Sequence, residues 1–290
     1  MSESPCGMIG LGRMGAPMAA NLAAKGTPLV VFDVAGSAER APEGALPVGS
    51  AAAVAERASV VFLSLPDGAA VEEVVGELLG SRASRLRQVV DTSTVGLSAA
   101  TRCAEACAGA GIEYVDAPVS GGVAGARAGT LTVMLAASQA TADGLRPLLL
   151  RLAKQVFRVG ERAGQGQAMK LLNNFLSGAA MAATSEAIAF GMRQGLEMET
   201  MLEVLNVSTG RSAASQDKFP ERILTGSYDS GFLTRLLCKD LRLYREAVEA
   251  VGAAAPLSPT VCALWEALVR TDVDGDFTRI YPFVRDGNFR

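Results

Sequence analysis

Short apolar runs alternate with Ala-rich segments of helical period through the first half of the chain. Runs at 7–9, 29–32, 60–64, 88–91, 113–115, 131–135 and 156–159 are predicted strands, rich in β-branched residues or bounded by turn formers. The segments 16–25, 69–79, 97–108 and 140–152 are predicted helices. Such alternation predicts an α/β domain whose mostly parallel sheet is covered on both faces. After about residue 160 the strand-like runs stop, and helical segments follow at 168–194, 199–206, 236–251 and 259–270. Glycines cluster at 160–166, so a boundary is placed there, between residues 1–163 and an all-helical domain at 164–290. The segment 168–194 is apolar enough to raise a membrane span, but Asn173, Asn174 and Glu186 within it favour a buried core helix.

Residues 10–15 read Gly10-Leu11-Gly12-Arg13-Met14-Gly15, after the first predicted strand and before a predicted helix. In such a turn Gly10 permits the tight bend, Gly12 lets backbone approach a pyrophosphate, and Gly15 lets helix pack on strand. Asp33 ends the second predicted strand, where a carboxylate can accept hydrogen bonds from ribose hydroxyls. This setting points to dinucleotide binding. An ordinary βαβ turn with an incidental Asp, or an adenosyl-binding methyltransferase, shows the same local pattern. Residues 34–37 are Val-Ala-Gly-Ser, so no Arg directly follows Asp33 to hold a 2′-phosphate. The expected cofactor is NAD, with NADP possible because Arg40 is nearby.

Composition narrows the chemistry. The 290 residues contain no histidine, which removes Ser-His-Asp and Cys-His hydrolysis and any His proton relay. Acid–base work must fall to Lys, Tyr, Asp, Glu or Cys. Formal charge is −3 with scattered Lys and Arg, so no basic stripe for nucleic acid exists and no nucleic-acid partner is expected. Cys103 and Cys107 lie four apart but have no second pair and no His, so they read as small buried residues and no metal is expected. Five cysteines without dense spacing fit a reducing compartment. The start, Met-Ser-Glu-Ser-Pro, lacks the regions of a leader, and a cytoplasmic protein with no membrane partner is expected.

Between residues 163 and 185 the one charged side chain is Lys170, flanked by Leu171, Leu172, Phe175, Leu176 and Met181. A helix this apolar is expected to be buried on nearly every side, and desolvating an ammonium costs several kcal/mol on the order-of-magnitude scale. Gly166 and Asn174 stand one turn to either side, and Gly166 is expected to leave room for a ligand. The alternative is a lysine whose head reaches water at the helix start. Burial lowers an ammonium's pKa from ~10.4 towards neutrality, where it can take or return a hydroxyl proton.

These residues also carry a family resemblance over essentially the whole chain. The chain resembles the β-hydroxyacid dehydrogenases, close to 3-hydroxyisobutyrate dehydrogenases. Their motifs match residues 10–22, Asp116-Ala-Pro-Val-Ser-Gly-Gly122 with Gly129-Thr-Leu131, residues 164–174, and Lys239-Asp240-Leu241. The resemblance implies a Rossmann-type dinucleotide-binding domain followed by an all-α domain, with Lys170 as catalytic acid/base. It implies that Asn174, and less directly Asn173, bind substrate, and that Ser120, Gly121 and Gly122 cradle its carboxylate. By itself Val119-Ser-Gly-Gly reads as a tight turn. Leu65 and Pro66 are implied beside the adenosine, Thr94 near the nicotinamide ribose, and Lys239 over the cofactor. On sequence alone Lys239 beside Asp240 is a solvated pair, and Phe232 can face cofactor or core. The implied substrate is a small carboxylate-bearing hydroxy acid, and the implied assembly a homodimer or homotetramer. A tartronate semialdehyde reductase is the second reading. An imine reductase, which lacks this Lys, and a non-catalytic NAD-binding protein are remoter.

Overall fold

The computed structural model describes residues 4–81 and 85–288; Met1–Glu3, on which the leader reading rests, lie outside the described residues. The chain divides into two compact units, Met1–Lys170 and Leu171–Arg290.

In the first unit, β1 (Cys6–Ile9), α1 (Gly15–Ala24) and β2 (Leu29–Phe32) form the opening βαβ. Next come α2 (Ser37–Arg40), β3 (Ala45–Pro47), α3 (Ala51–Ala55), β4 (Val60–Leu63) and α4 (Gly68–Gly80). Then follow β5 (Gln88–Asp91), α5 (Leu97–Gly109), β6 (Glu113–Asp116), β7 (Val119–Ser120) and α6 (Gly122–Ala128). The unit closes with β8 (Leu131–Ala136), α7 (Gln139–Leu149) and β9 (Ala153–Gly160). The sheet order is β3-β2-β1-β4-β5-β6-β8-β7, with β9 on β8. The six strands from β3 to β6 are parallel, whereas β8 runs antiparallel to β6 and β7.

Alternation of side chains explains the burial. Met8, Val31, Phe62, Val90 and Val115 enter one hydrophobic layer, and Ile9, Val30, Val61, Leu63 and Val89 enter the other. Both faces are therefore apolar, as a parallel sheet requires. Strands β3 and β7 had no forerunner in the sequence pattern. They are three and two residues long, too short to show a period.

Helix α8 (Gln165–Arg193) runs from the first unit into the second. The second unit continues with α9 (Met198–Asn206), α10 (Thr234–Ala250), α11 (Ser258–Thr271) and α12 (Ile280–Arg285). A π-helical stretch, Ala214–Ile223, and a 3₁₀ turn, Phe277–Arg279, complete it. Trp265, Phe219, Leu237, Leu241 and Ile280 fill its core. The Trp265 indole N–H donates to the Gly178 carbonyl at 3.2 Å, which ties α11 to α8.

One expectation fails on α8. The helix is buried on one side only: Leu172, Leu176, Ala183, Ala187 and Phe190 are exposed, Leu176 by 62% and Phe190 by 66%. At 100° per residue these positions fall within one narrow stripe. Low polarity all round did not mean packing all round.

Candidate active site

The strand ends of β1, β4 and β5 meet at one edge of the sheet. The chain crosses from β1 to opposite sides there, since β2 and β4 both flank β1, and such switch points are where open α/β sheets bind ligands. Gly10 adopts φ +90°, and a side chain at that position would strike the Ser64 carbonyl oxygen. A side chain at Gly15 would strike the Gly10 carbonyl. At Gly12 nothing lies within 4 Å of where a Cβ would be, so backbone faces open space. Met14 makes no side-chain capping bond at the start of α1, and the first turn holds no acidic residue. Amide groups at an uncapped helix start with room in front suit a pyrophosphate.

Asp33 completes the turn. Its Oδ2 accepts the Leu11 N–H at 2.6 Å, and its Oδ1 accepts the Ala35 N–H at 2.8 Å. The Arg40 guanidinium lies 3.6 Å from Oδ1, while Arg13 is exposed. Leu65 is half-buried after β4 and its N–H donates to Ser93 Oγ at 2.9 Å; Pro66 beside it is exposed. Thr94, half-buried, follows in the loop after β5. These residues fit a dinucleotide: open backbone for the phosphates, and a fixed carboxylate for the ribose.

Ser120 ends β7 opposite Thr132, and the two glycines after it take positive φ, +128° at Gly121 and +62° at Gly122. Gly121 and Gly122 are exposed.

The start of α8 is held from β6. Asp116, fully buried, accepts the N–H groups of Gly164 (2.9 Å) and Gln167 (3.1 Å) on Oδ2 and the Gln167 side-chain amide (2.8 Å) on Oδ1. Burial pushes its carboxyl up to about 6, against the pull of those three donors. Gly166 has a different use from the one its position suggested. A Cβ there would lie 2.7 Å from the Met134 carbonyl and 2.9 Å from Asp116 Cγ, so its missing side chain admits strand atoms rather than a ligand. Lys170, in the next turn, is half-buried.

In the second unit, Asn174 is buried and its amide donates to Asp240 Oδ2 at 2.7 Å; half-buried Asn173 donates to Asn174 Oδ1 at 3.1 Å. The Lys239 ammonium stands 3.3 Å from Asp240 Oδ1, with Asp240 3% exposed, so this is not a solvated pair. Helical spacing held the clue, because Asp240 shares the face of Leu237 and Leu241. Phe232 packs edge to face on Phe277, centroids 5.6 Å apart, against the helical core. Cys103 and Cys107 are buried on α5, and desolvation pushes their thiols up to about 12 and about 11, which makes them poor nucleophiles and ligands. Asp116, Gln167 and Asp240 had no assigned role in the sequence reading.

A doubly wound sheet with a glycine turn and an acid at its switch point defines a dinucleotide-binding protein. Residues 5–160 match the NAD binding domain of 6-phosphogluconate dehydrogenase, and residues 164–284 match a family described as NAD-binding of NADP-dependent 3-hydroxyisobutyrate dehydrogenase. The chain is 36% identical to 3-hydroxyisobutyrate dehydrogenase of Pseudomonas aeruginosa, over 96% of this chain and 97% of that one. It is 39% identical to 2-(hydroxymethyl)glutarate dehydrogenase of Eubacterium barkeri, over 90% and 87%. The structure of Mycobacterium tuberculosis 3-hydroxyisobutyrate dehydrogenase with L-serine superposes with a TM-score of 0.89 at 31% identity, covering 97% and 99%. The chain belongs to the 3-hydroxyisobutyrate dehydrogenase family and is an NAD(P)-dependent β-hydroxyacid dehydrogenase acting on a CH–OH group.

Proposed function

We propose that the substrate is a 2-substituted 3-hydroxypropanoate, with 3-hydroxyisobutyrate first among them, and that Lys170 is its acid/base. Support for Lys170 comes from its half-buried place on α8, one turn before the buried amide Asn174. Bound NAD(P) supplies the hydride acceptor. Lys170 takes the hydroxyl proton as the alcohol is oxidised and returns it when the aldehyde is reduced. Asn174, with Asn173 beside it, orients the reacting oxygen, and Ser120, Gly121 and Gly122 hold the carboxylate through a hydroxyl and N–H groups. On the cofactor side Leu65, Pro66 and Thr94 contact adenosine and nicotinamide ribose, and Lys239 approaches the cofactor.

The named relatives support the substrate class. Hydroxyisobutyrate, hydroxymethylglutarate and serine share a CH₂OH on the carbon bearing the carboxylate, and differ in the third substituent: methyl, carboxyethyl or ammonium. NAD is the preferred cofactor, because Asp33 faces the ribose position and repels a 2′-phosphate. The exposed α8 stripe is covered by a second copy of the chain in a homodimer or homotetramer.

A panel of the three hydroxy acids, with glycerate and tartronate semialdehyde added, is assayed with both cofactors. Highest kcat/KM for 3-hydroxyisobutyrate with NAD is expected. Inactivity on every compound, or a strong NADP preference, defeats the corresponding part of the reading. Sedimentation of Leu176→Glu/Phe190→Glu is expected to give monomers; an unchanged assembly removes the stripe from the interface.

A further inference from the structure

We infer that Gln167 is a positioning residue of the reaction, clamping the loop that carries Thr94 to the first turn of α8 and so fixing where Lys170 stands. The inference rests on Lys170 being the acid/base.

Gln167 is fully buried, and its amide fills all four of its hydrogen-bonding positions. Oε1 accepts the backbone N–H groups of Val95 (2.9 Å) and Gly96 (3.3 Å). Nε2 donates to the Ser93 carbonyl (3.2 Å) and to Asp116 Oδ1 (2.8 Å). The residues gripped by this one side chain bracket Thr94 on both sides. Lys170 follows three residues later on the same helix, in neighbouring position on its surface.

Two acceptor and two donor positions on one flat group are peculiar to a side-chain amide. Leucine of similar size would strand two backbone N–H groups, a carbonyl and a carboxylate oxygen in a dry site. Glutamate would keep the acceptors but replace both donors. A side chain chosen for packing alone has no need of such a set, since each buried polar atom costs free energy unless matched. The payoff lies in geometry: displacing a catalytic group by ~1 Å costs up to ~100-fold in rate.

The variants Gln167→Leu and Gln167→Glu are compared with Lys170→Ala and the parent enzyme. Readouts are kcat, KM, the NADH dissociation constant by fluorescence, the thermal midpoint, and kcat against pH. Gln167→Leu is expected to lower kcat ~10–100-fold while NADH affinity changes less than about threefold. The glutamate faces Asp116 on β6, which itself lies beside Asp91 on β5 and near the Tyr114 hydroxyl, while the Lys170 ammonium follows three residues later on α8. These acids favour its protonated form, and the protonated carboxyl regains one donor. Gln167→Glu is therefore expected to exceed Gln167→Leu about tenfold in kcat near pH ~6 and to lose that lead by pH ~8.

The inference is overturned if both variants keep kcat within about threefold of the parent, or if the loss lies in NADH affinity alone. A pH profile of Gln167→Glu parallel to that of the parent also overturns it, and this arm stands even if Gln167→Leu does not fold. Should Lys170→Ala retain turnover within about tenfold, the acid/base reading fails and takes this inference with it. If Lys170→Ala is inactive and the Gln167 variants are not impaired, only the inference fails.

Discussion

Asp116 and Asp240 are both buried carboxylates, and each holds an amide of α8, Gln167 before Lys170 in the chain and Asn174 after it. Their surroundings differ. Asp116 meets three neutral N–H donors, two of them backbone, and stands in register beside a second acid, Asp91, on the neighbouring strand. Asp240 shares its charge with the Lys239 ammonium, whose side chain is 22% exposed. The first arrangement is a fixed staple: neutral donors leave the carboxylate desolvated but bound to rigid backbone. The second couples its amide to a partly solvated cation. Two acids of the same type thus sit in different settings, and the charge of the partner sets them apart.

The largest effect should come from the residue between the two amides. Lys170→Ala is expected to lower kcat ~10²–10⁴-fold with thermal stability retained, measured by steady-state turnover. Turnover within tenfold of the parent would leave both acids organising nothing catalytic. Asp116→Ala should come next. It strands three donors in a dry site and is expected to cost ~3–5 kcal/mol in denaturant unfolding of the whole chain. A loss below about 1 kcal/mol would mean that water reaches the site.

The third prediction concerns pH. The folded carboxyl of Asp116 sits at about 6 against an ordinary 3.8, so the folded protein binds this proton more tightly than the unfolded chain does. Stability from this group is fully present below about pH 4 and is lost as pH rises through about 6, on the order of 3 kcal/mol in all. Asp116→Asn should flatten that segment of the stability curve relative to the parent, as read from unfolding midpoints across pH. Parallel curves would show that the group titrates normally. Lys239→Met should have the smallest effect on unfolding, about 1 kcal/mol or less, because the ammonium is partly solvated. Its larger signature should be a weaker response to bound cofactor, seen as a higher NADH dissociation constant. If stability falls as far as in Asp116→Ala, Asp240 is a staple too.

What the sequence determined by itself is whatever is local or periodic. Alternating apolar runs placed five of the six parallel strands from β3 to β6, together with β8 and β9, because side chains that face two buried layers must be apolar on both sides. The turn from Gly10 to Gly15 and Asp33 were legible because steric demands at a tight bend leave glycine few substitutes. Lys170 stood out as the one charge in an apolar stretch. Only the tertiary structure decided what meets across long separations. Gln167 finds Asp116 across 51 positions and Asn174 finds Asp240 across 66, and no period in the chain encodes such a pairing. It likewise decided that one side of α8 stays exposed, and that Gly166 admits strand backbone instead of a ligand. Burial on a helix depends on what else packs against it, and that is a property of the folded whole.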